Sequence, residues 1–378
     1  MRILFVGLTT HYTDGLMYQE NCFNSVLAEN GHEVLFLADT QCFEDGKLKF
    51  TEPCEYIDNN GVRIVRVPYL ISNYIGSRLK IFKSIYKYIE EFKPDIIYCH
   101  SPQYLSVIDV IRYKKIHPNV LVYADTHTSF VNSKKGIMSY LFLYKVYYKH
   151  LYKMLEPYLE KYFYIGLGER DFSEQVYNAD KSKMAFLPLS GNEITKELHA
   201  KNRSEIRDSL SIREDDIVLF HSGKLSKDKN TDWVIDALRK INSKKLKLVI
   251  AGSIPQDNKK LKNALESSEN ISYVGWLSGE ELVKYLCACD AYCQPGAPSV
   301  TLQTAICCKT PIICYKHDFY SYLYSYDNIK WITSEDEIAD IINKVLNDRN
   351  VLINLKNAAD KNSFKLDTKY LLKKEIGV

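Results

Sequence analysis

Short apolar runs alternate with longer amphipathic stretches along the chain, the pattern of strands joined by crossover helices in a parallel sheet. Residues 3–7 read as a first strand, residues 18–30 as a helix closed by Asn30-Gly31, and residues 33–38 as a second strand. Further strands are expected at 95–100, 120–125, 162–166 and 184–189, each rich in Ile, Val, Tyr or Phe. The series then restarts at 216–223, 246–252, 271–274, 290–294 and 311–315. Two such series predict an α/β protein of two Rossmann-like domains, divided near the polar, strand-poor stretch 191–213. We place the first domain at 1–195, the second at 196–355, and a C-terminal helix in 356–378 that returns to the first domain.

Length and composition narrow the function. With 378 residues, 46% hydrophobic and 26% charged, the chain has ample material for two cores, and disorder is excluded. Fifty Lys and Arg against 47 Asp and Glu give +3, too balanced for a protein that wraps nucleic acid. The N-terminal apolar run is too short for a signal peptide or a spanning helix, so a cytoplasmic protein is expected. Its ten cysteines then read as reduced thiols, and they lack the paired CxxC spacing of a zinc site, so no metal is expected there.

Ligands of open parallel sheets bind beyond the C-terminal ends of the strands, so the residues there carry the chemistry. After the first strand come Thr9 to Gly15 and a helix expected to start near Leu16, which leaves free N–H groups at Gly15 for an anion. An ordinary βα turn explains that segment equally well. The GxGxxG fingerprint is absent, which speaks against nicotinamide binding. Strand 217–220 runs into His221-Ser222-Gly223-Lys224-Leu225-Ser226-Lys227-Asp228-Lys229-Asn230, where lysines can neutralise a diphosphate or simply be solvated. The third segment is Gln294-Pro295-Gly296-Ala297-Pro298-Ser299-Val300, a sharp turn with Ser299 placed to N-cap the next helix.

Together these segments resemble the retaining glycosyltransferases of family 4, which have the GT-B fold of two facing Rossmann-like domains with an interdomain cleft. Asp14-Gly15 with Tyr18-Gln19-Glu20-Asn21 and Gly31-His32-Glu33-Val34 is similar to the N-terminal signature of polysaccharide-building members. Gly223-Lys224-Leu225 with Lys229 resembles the family's basic phosphate-binding motif, with lysine where arginine is usual. Gly168-Glu169-Arg170-Asp171-Phe172 and Leu187-Pro188-Leu189 resemble the approach to the interdomain linker. Gly275-Trp276-Leu277 is similar to the stretch that recognises the nucleotide base, and Gly296 to Val300 to the donor-binding turn.

The resemblance implies a metal-independent transferase that moves a sugar from a nucleotide sugar, a uridine diphosphate one, to a glycan or lipid-linked glycan in cell-envelope polysaccharide synthesis. It places Gly15, Gly223, Gly252, Trp276, Leu277, Gly296, Pro298, Ser299, Val300, Gln303 and Thr304 on the donor, and Asp14, Tyr18 and Gln19 on the acceptor. Lys224 and Lys229 would stabilise the departing diphosphate, and no cofactor beyond the nucleotide sugar is needed. His127, in Asp125-Thr126-His127-Thr128, falls where the family has a histidine near the sugar, and Asp125 would orient it or the acceptor hydroxyl. One departure is plain. The family has two glutamates seven residues apart where this chain has Gly296 and Thr304; a related subgroup has one glutamate where this chain has Gln303. A glutamine keeps a carbonyl acceptor but loses the charge.

Residues 134–153 contain five lysines and no acid among many aromatic and aliphatic residues, a composition suited to a membrane interface or to an aromatic helix packed on its own domain. The first reading expects peripheral contact with the cytoplasmic membrane face. Two alternatives to an active transferase stand beside it: a degenerate partner that binds a nucleotide sugar without turnover, supported by the missing glutamates, and a nucleotide-sugar 2-epimerase, whose cleft carboxylates have no counterpart here.

Overall fold

A computed structural model describes residues 1–378 except 17, 45, 46, 134, 135, 137–139, 256, 257 and 267. The chain divides into one unit of Met1–Pro188 with Glu375–Val378 and a second of Leu189–Lys374. In chain order the first unit contains β1 (Arg2–Gly7), β2 (Glu33–Ala38), β3 (Gln41–Glu44), β4 (Lys47–Phe50), β5 (Glu55–Ile57), β6 (Arg63–Arg66), β7 (Ile96–Cys99), β8 (Leu121–Thr126), β9 (Lys161–Tyr164) and β10 (Met184–Phe186). Eight of these form one sheet in the order β10-β9-β8-β7-β1-β2-β6-β5, while β3 and β4 make a separate hairpin. All neighbours in the large sheet run parallel except β5 with β6.

Helices cover both faces of such a sheet, so its central strands read as continuous apolar runs and are buried along their length. Alternate residues still separate by kind. Leu4, Val6, Leu35, Leu37, Ile97 and Val122 belong to one aliphatic core. The opposite face stacks rings, Phe5 on Tyr98 at 5.1 Å and Tyr98 on Phe163 at 6.3 Å.

The second unit contains β11 (Ile217–Ser222), β12 (Leu246–Ala251), β13 (Ile271–Tyr273), β14 (Ala291–Gln294), β15 (Ile312–Tyr315) and β16 (Ile329–Ile332), in the parallel order β13-β12-β11-β14-β15-β16. The same alternation divides its core: Ile217 and Leu219 pack on one side of the sheet, Val218 and Phe220 on the other. The order reverses between β11 and β14, as it does between β1 and β7 in the first unit, and these are the switch points where parallel sheets open for ligands.

Several local expectations need correction. The polar, strand-poor stretch 191–213 contains a helix, Lys196–Ser209, whose N-cap Thr195 accepts the Leu198 N–H at 3.2 Å, and the units divide just before it, between 188 and 189. Arg203 of that helix then reaches the buried Asp290 at 2.9 Å and anchors it on the second unit. The first helix, α1 (Gln19–Glu29), starts three residues later than Leu16. Residues before it form a turn in which Leu16 N–H meets the Thr13 carbonyl, and Gly15 sits at φ 77°, outside the helix. Its free N–H groups therefore follow Tyr18, the N-cap residue, rather than Gly15. Likewise Val300, not Ser299, occupies the N-cap of helix Thr301–Cys307. The hydroxyl of buried Tyr320 holds the Ser299 backbone at both N–H and carbonyl, which keeps Ser299 out of the helix start.

Candidate functional site

In the second unit the loops beyond β11, β12, β13 and β14 close on one another through main chain. Gly252, at φ 134°, lies so close to Gly223 that a Cβ on it would stand 1.7 Å from the Gly223 carbonyl oxygen. Its N–H donates to the Gly275 carbonyl at 2.6 Å, and the Tyr273 hydroxyl donates to its carbonyl at 2.7 Å. Gly296 is equally constrained: a Cβ there would meet the Asp228 carbonyl oxygen at 2.2 Å. The position at which the family resemblance expects a carboxylate therefore has no room for any side chain.

The two lysines differ. Lys229 donates to the Ala297 and Pro298 carbonyls at 2.8 and 3.0 Å, and Asn230 adds a bond to the Pro295 carbonyl, so the basic loop and the proline turn are stapled together. Burial pulls the Lys229 ammonium below its ordinary value, with Asp228 opposing. Lys224 is exposed and has no side-chain partner among the described residues. Of the two, it is the one free to meet an anion. Trp276 is 69% exposed beside Gly275, with Leu277 next to it packed on the core. Gln303 is fully buried; its amide donates to the Tyr322 hydroxyl at 2.8 Å while its carbonyl oxygen lacks a partner. Thr304 is buried at the close approach of Gly191. Behind the loops His221 is buried between the Cys293 carbonyl and the Thr231 hydroxyl, and burial pushes it down to about 4.

In the first unit the corresponding edge is built from charged side chains. Asp125, at the end of β8, is fully buried. One of its oxygens accepts from His100 Nδ1 at 2.9 Å and the Tyr98 hydroxyl at 3.1 Å, with His127 Nε2 at 3.6 Å; the other accepts the Ser101 N–H at 2.9 Å. Burial works against the Asp125 charge, but His100 and His127 hold its carboxyl well below the usual range. Burial likewise opposes the His100 charge, and Asp125 overrides it, pushing the imidazole up to about 9. The ligand-type atoms of these three residues lie within 4.8 Å of one another; the carboxylate already accepts from His100, Tyr98 and Ser101, while His127 Nε2 stands just outside hydrogen-bond range without a partner. His127 keeps a quarter of its side chain exposed, enough to meet a ligand.

His100 was not singled out from the sequence, although it ends a strand just as His127 follows one. A second pair was missed in the same way. His11 Nδ1 lies 2.9 Å from buried Asp39, directly after β2, and the Tyr69 hydroxyl shares that carboxylate at 3.0 Å. Of the residues expected at the acceptor, Asp14 accepts from the Tyr56 hydroxyl at 2.9 Å, Tyr18 is exposed, and Gln19 is buried with both amide atoms unpartnered.

Residues 25–186 match the model of Glycosyltransferase Family 4, and residues 202–364 match that of Glycosyl transferases group 1. No curated protein matches the chain in sequence. Among solved structures it is similar to HepE from Anabaena in complex with UDP, at 14% identity and TM-score 0.68 over 99% of this chain and 98% of that one. It is also similar to a glycosyltransferase from Rickettsia africae, at 13% and 0.68 over 99% and 96%. WaaG, a glycosyltransferase involved in lipopolysaccharide biosynthesis, aligns at 15% and 0.58 over 98% of both chains. These similarities show the GT-B fold, with its two Rossmann-like domains.

Proposed function

From the premise that the chain is a glycosyltransferase of the GT-B fold, we propose that it moves a sugar from a nucleoside diphosphate sugar to a glycan or lipid-linked glycan of the cell envelope, with retention and without a metal. The observation that carries this reading is the main-chain cradle of Gly223, Gly252 and Gly296, with Lys224 free at its edge. Such a cradle suits a diphosphate, because bare backbone lets phosphate oxygens approach and the lysine supplies charge. HepE, similar in fold, binds UDP and UDP-glucose, so a uridine diphosphate sugar is the donor to try first. Trp276 and Leu277 would meet the base, whereas Gln303, expected at the ribose, is fully buried.

In the same-face substitution, the bond from the anomeric carbon to the phosphate oxygen breaks and its electron pair stays on the phosphate. The acceptor oxygen bonds to that carbon on the same face, and its proton passes to the departing phosphate. Lys224 stabilises the negative charge that develops, which is the work a metal does elsewhere. No Asp-x-Asp pair occurs in the chain to hold one. We assign His127, 3.6 Å from Asp125 at the carboxyl edge of the first unit, to handling the sugar. The acceptor is held by the first unit, where Asp14, Tyr18 and Gln19 lie, and a lipid-linked acceptor accords with membrane contact through 134–153. Within that stretch residues 134, 135 and 137–139 lie outside the described residues.

The closed position at Gly296 favours a second reading, a protein that binds the nucleotide sugar without turnover. Proton NMR of the product anomer, with chelator present, separates them. A retained anomer formed without metal is expected; an inverted anomer or a magnesium requirement would overturn the mechanism, and binding without product would establish the second reading.

A further inference from the structure

Asp125 and its two imidazoles have bonding capacity that sugar chemistry leaves unused. Asp125 and His127 stand two residues apart where β8 ends, and His100 follows β7, the neighbouring strand, whose Cys99 pairs with Ala124. His100 Nδ1 and His127 Nε2 lie 2.9 and 3.6 Å from the same Asp125 oxygen, and the two rings are 4.5 Å apart centroid to centroid. A tetrahedral ion with bonds of about 2.0 Å to nitrogen and oxygen holds its ligand atoms about 3.3 Å from one another, and the two measured edges bracket that value. The third edge, between the nitrogens, is no longer than 4.8 Å.

The surroundings hold these atoms in place. The other Asp125 oxygen accepts the Ser101 N–H at 2.9 Å, and Ser101 sits at φ 44°, a strained backbone for a residue with a side chain, which aims that N–H. The Tyr98 hydroxyl donates to the carboxylate from the core, and the Asn132 amide donates to the His127 carbonyl at 2.7 Å. Two atoms beside the trio are buried without a partner, His127 Nε2 and Glu169 Oε2. Glu169 and Glu20, both more than nine-tenths buried, act electrostatically on His127 and His100, so three carboxylates surround two imidazoles. That balance favours a dication, and two nitrogen ligands favour zinc over magnesium or calcium, which take oxygen. The exposed quarter of His127 gives the ion a way in. We propose that His100, Asp125 and His127 form a zinc site with its fourth position open, and that the ion inhibits by occupying His127. As zinc enters, the proton shared by His100 and Asp125 leaves to solvent, so both imidazoles bind as neutral ligands. The ion takes no part in the transfer. Its inhibitory role rests on the transferase reading; the site does not.

Titration calorimetry of the full chain, freed of metal and given zinc chloride alone, tests the site without any nucleotide. Wild type should take up zinc at a single saturable site, and cobalt in its place should show the visible absorption of a four-coordinate ion on nitrogen and oxygen, distinct from that of cobalt on thiolates. His127→Gln and His100→Gln should each weaken zinc binding roughly 100-fold, and Tyr98→Phe, which removes a hydrogen bond to the carboxylate, about tenfold. Cys54→Ser, at the exposed thiol, should bind like wild type. Melting curves check that each variant folds, and the partly exposed His127 keeps the test decisive if His100→Gln does not. No saturable zinc uptake by wild type, wild-type affinity in His127→Gln, or a cobalt spectrum of the thiolate kind would overturn the proposal. Under the transferase reading zinc should slow turnover of UDP-glucose and a chelator restore it; turnover unchanged with the site filled would overturn the inhibitory role. Zinc bound as expected by a protein without glycosyl transfer would count against the enzymatic reading alone.

Discussion

The carboxyl edges of the two sheets handle buried polarity in opposite ways, although their topologies are alike. In the first unit the edge consists of titratable side chains, with Asp125 shared by His100 and Tyr98, and Asp39 shared by His11 and Tyr69. In the second it consists of main chain pressed on main chain, Gly252 on Gly223 and Gly296 on Asp228, with one lysine used as a staple and one left free. The buried histidines follow the same division. His100 is held protonated by a carboxylate and rises to about 9, while His221 has only neutral partners and falls to about 4. One edge is therefore suited to orienting hydroxyls and protons, the other to admitting a diphosphate against bare backbone.

The largest expected effect falls on the backbone edge. Gly252→Ala should destabilise the second unit by ~3 kcal/mol or more, since its Cβ meets a carbonyl oxygen and its φ is hostile to side chains. Gly296→Glu, which installs the carboxylate typical of the family, should impair rather than restore function for the same steric reason. Denaturant unfolding with nucleotide binding checks both. Asp125→Asn should cost about 3 kcal/mol in the first unit, because it leaves a buried imidazolium without its counter-charge. A variant as stable as wild type would mean that the network is ornamental to the fold.

The contrast in histidines predicts opposite pH responses. His100 binds its proton more tightly folded than unfolded, so its contribution is complete below about 6.5 and is lost as pH rises toward 9. His221 is the reverse: its contribution is present above about 6.5 and is lost as pH falls toward 4, and His199, lowered by burial and by Arg203, adds to that acid loss. Unfolding followed by probes in each unit should show the first weakening on the alkaline side and the second on the acid side. His100→Gln should flatten the alkaline limb. The smallest effect separates the lysines. Lys229→Ala should cost ~1 to 2 kcal/mol of stability by releasing the proline turn, whereas Lys224→Ala should leave melting within about 0.5 kcal/mol and weaken nucleotide binding roughly tenfold.

Most of the parallel strands were legible because each is a local apolar run, and the structure moves their ends by only a few residues; β6 (Arg63–Arg66) and β16 (Ile329–Ile332), four residues each with charged residues among the apolar ones, were not expected. What was missed depends on contacts distant in sequence. Nothing near residue 296 signals that Asp228 will lie against it, so its glycine read as a lost carboxylate rather than as a steric requirement. The pairing of His11 with Asp39 joins the ends of two strands, and it becomes visible only once β1 and β2 are known to be neighbours. The helix within 191–213 was not expected because it is polar on most of its surface; its cap at Thr195 was the local signal for it. The basic aromatic stretch was legible from composition alone, because five lysines without an acid need no period to be seen.

Titration calorimetry of the wild-type protein with UDP-glucose in the presence of a chelator tests the central claim most directly. The account predicts saturable binding without metal, matched by a rise in melting temperature and weakened roughly tenfold in Lys224→Ala. An absence of both heat and stabilisation with UDP-glucose, and equally with the other nucleoside diphosphates and their sugars, would contradict it.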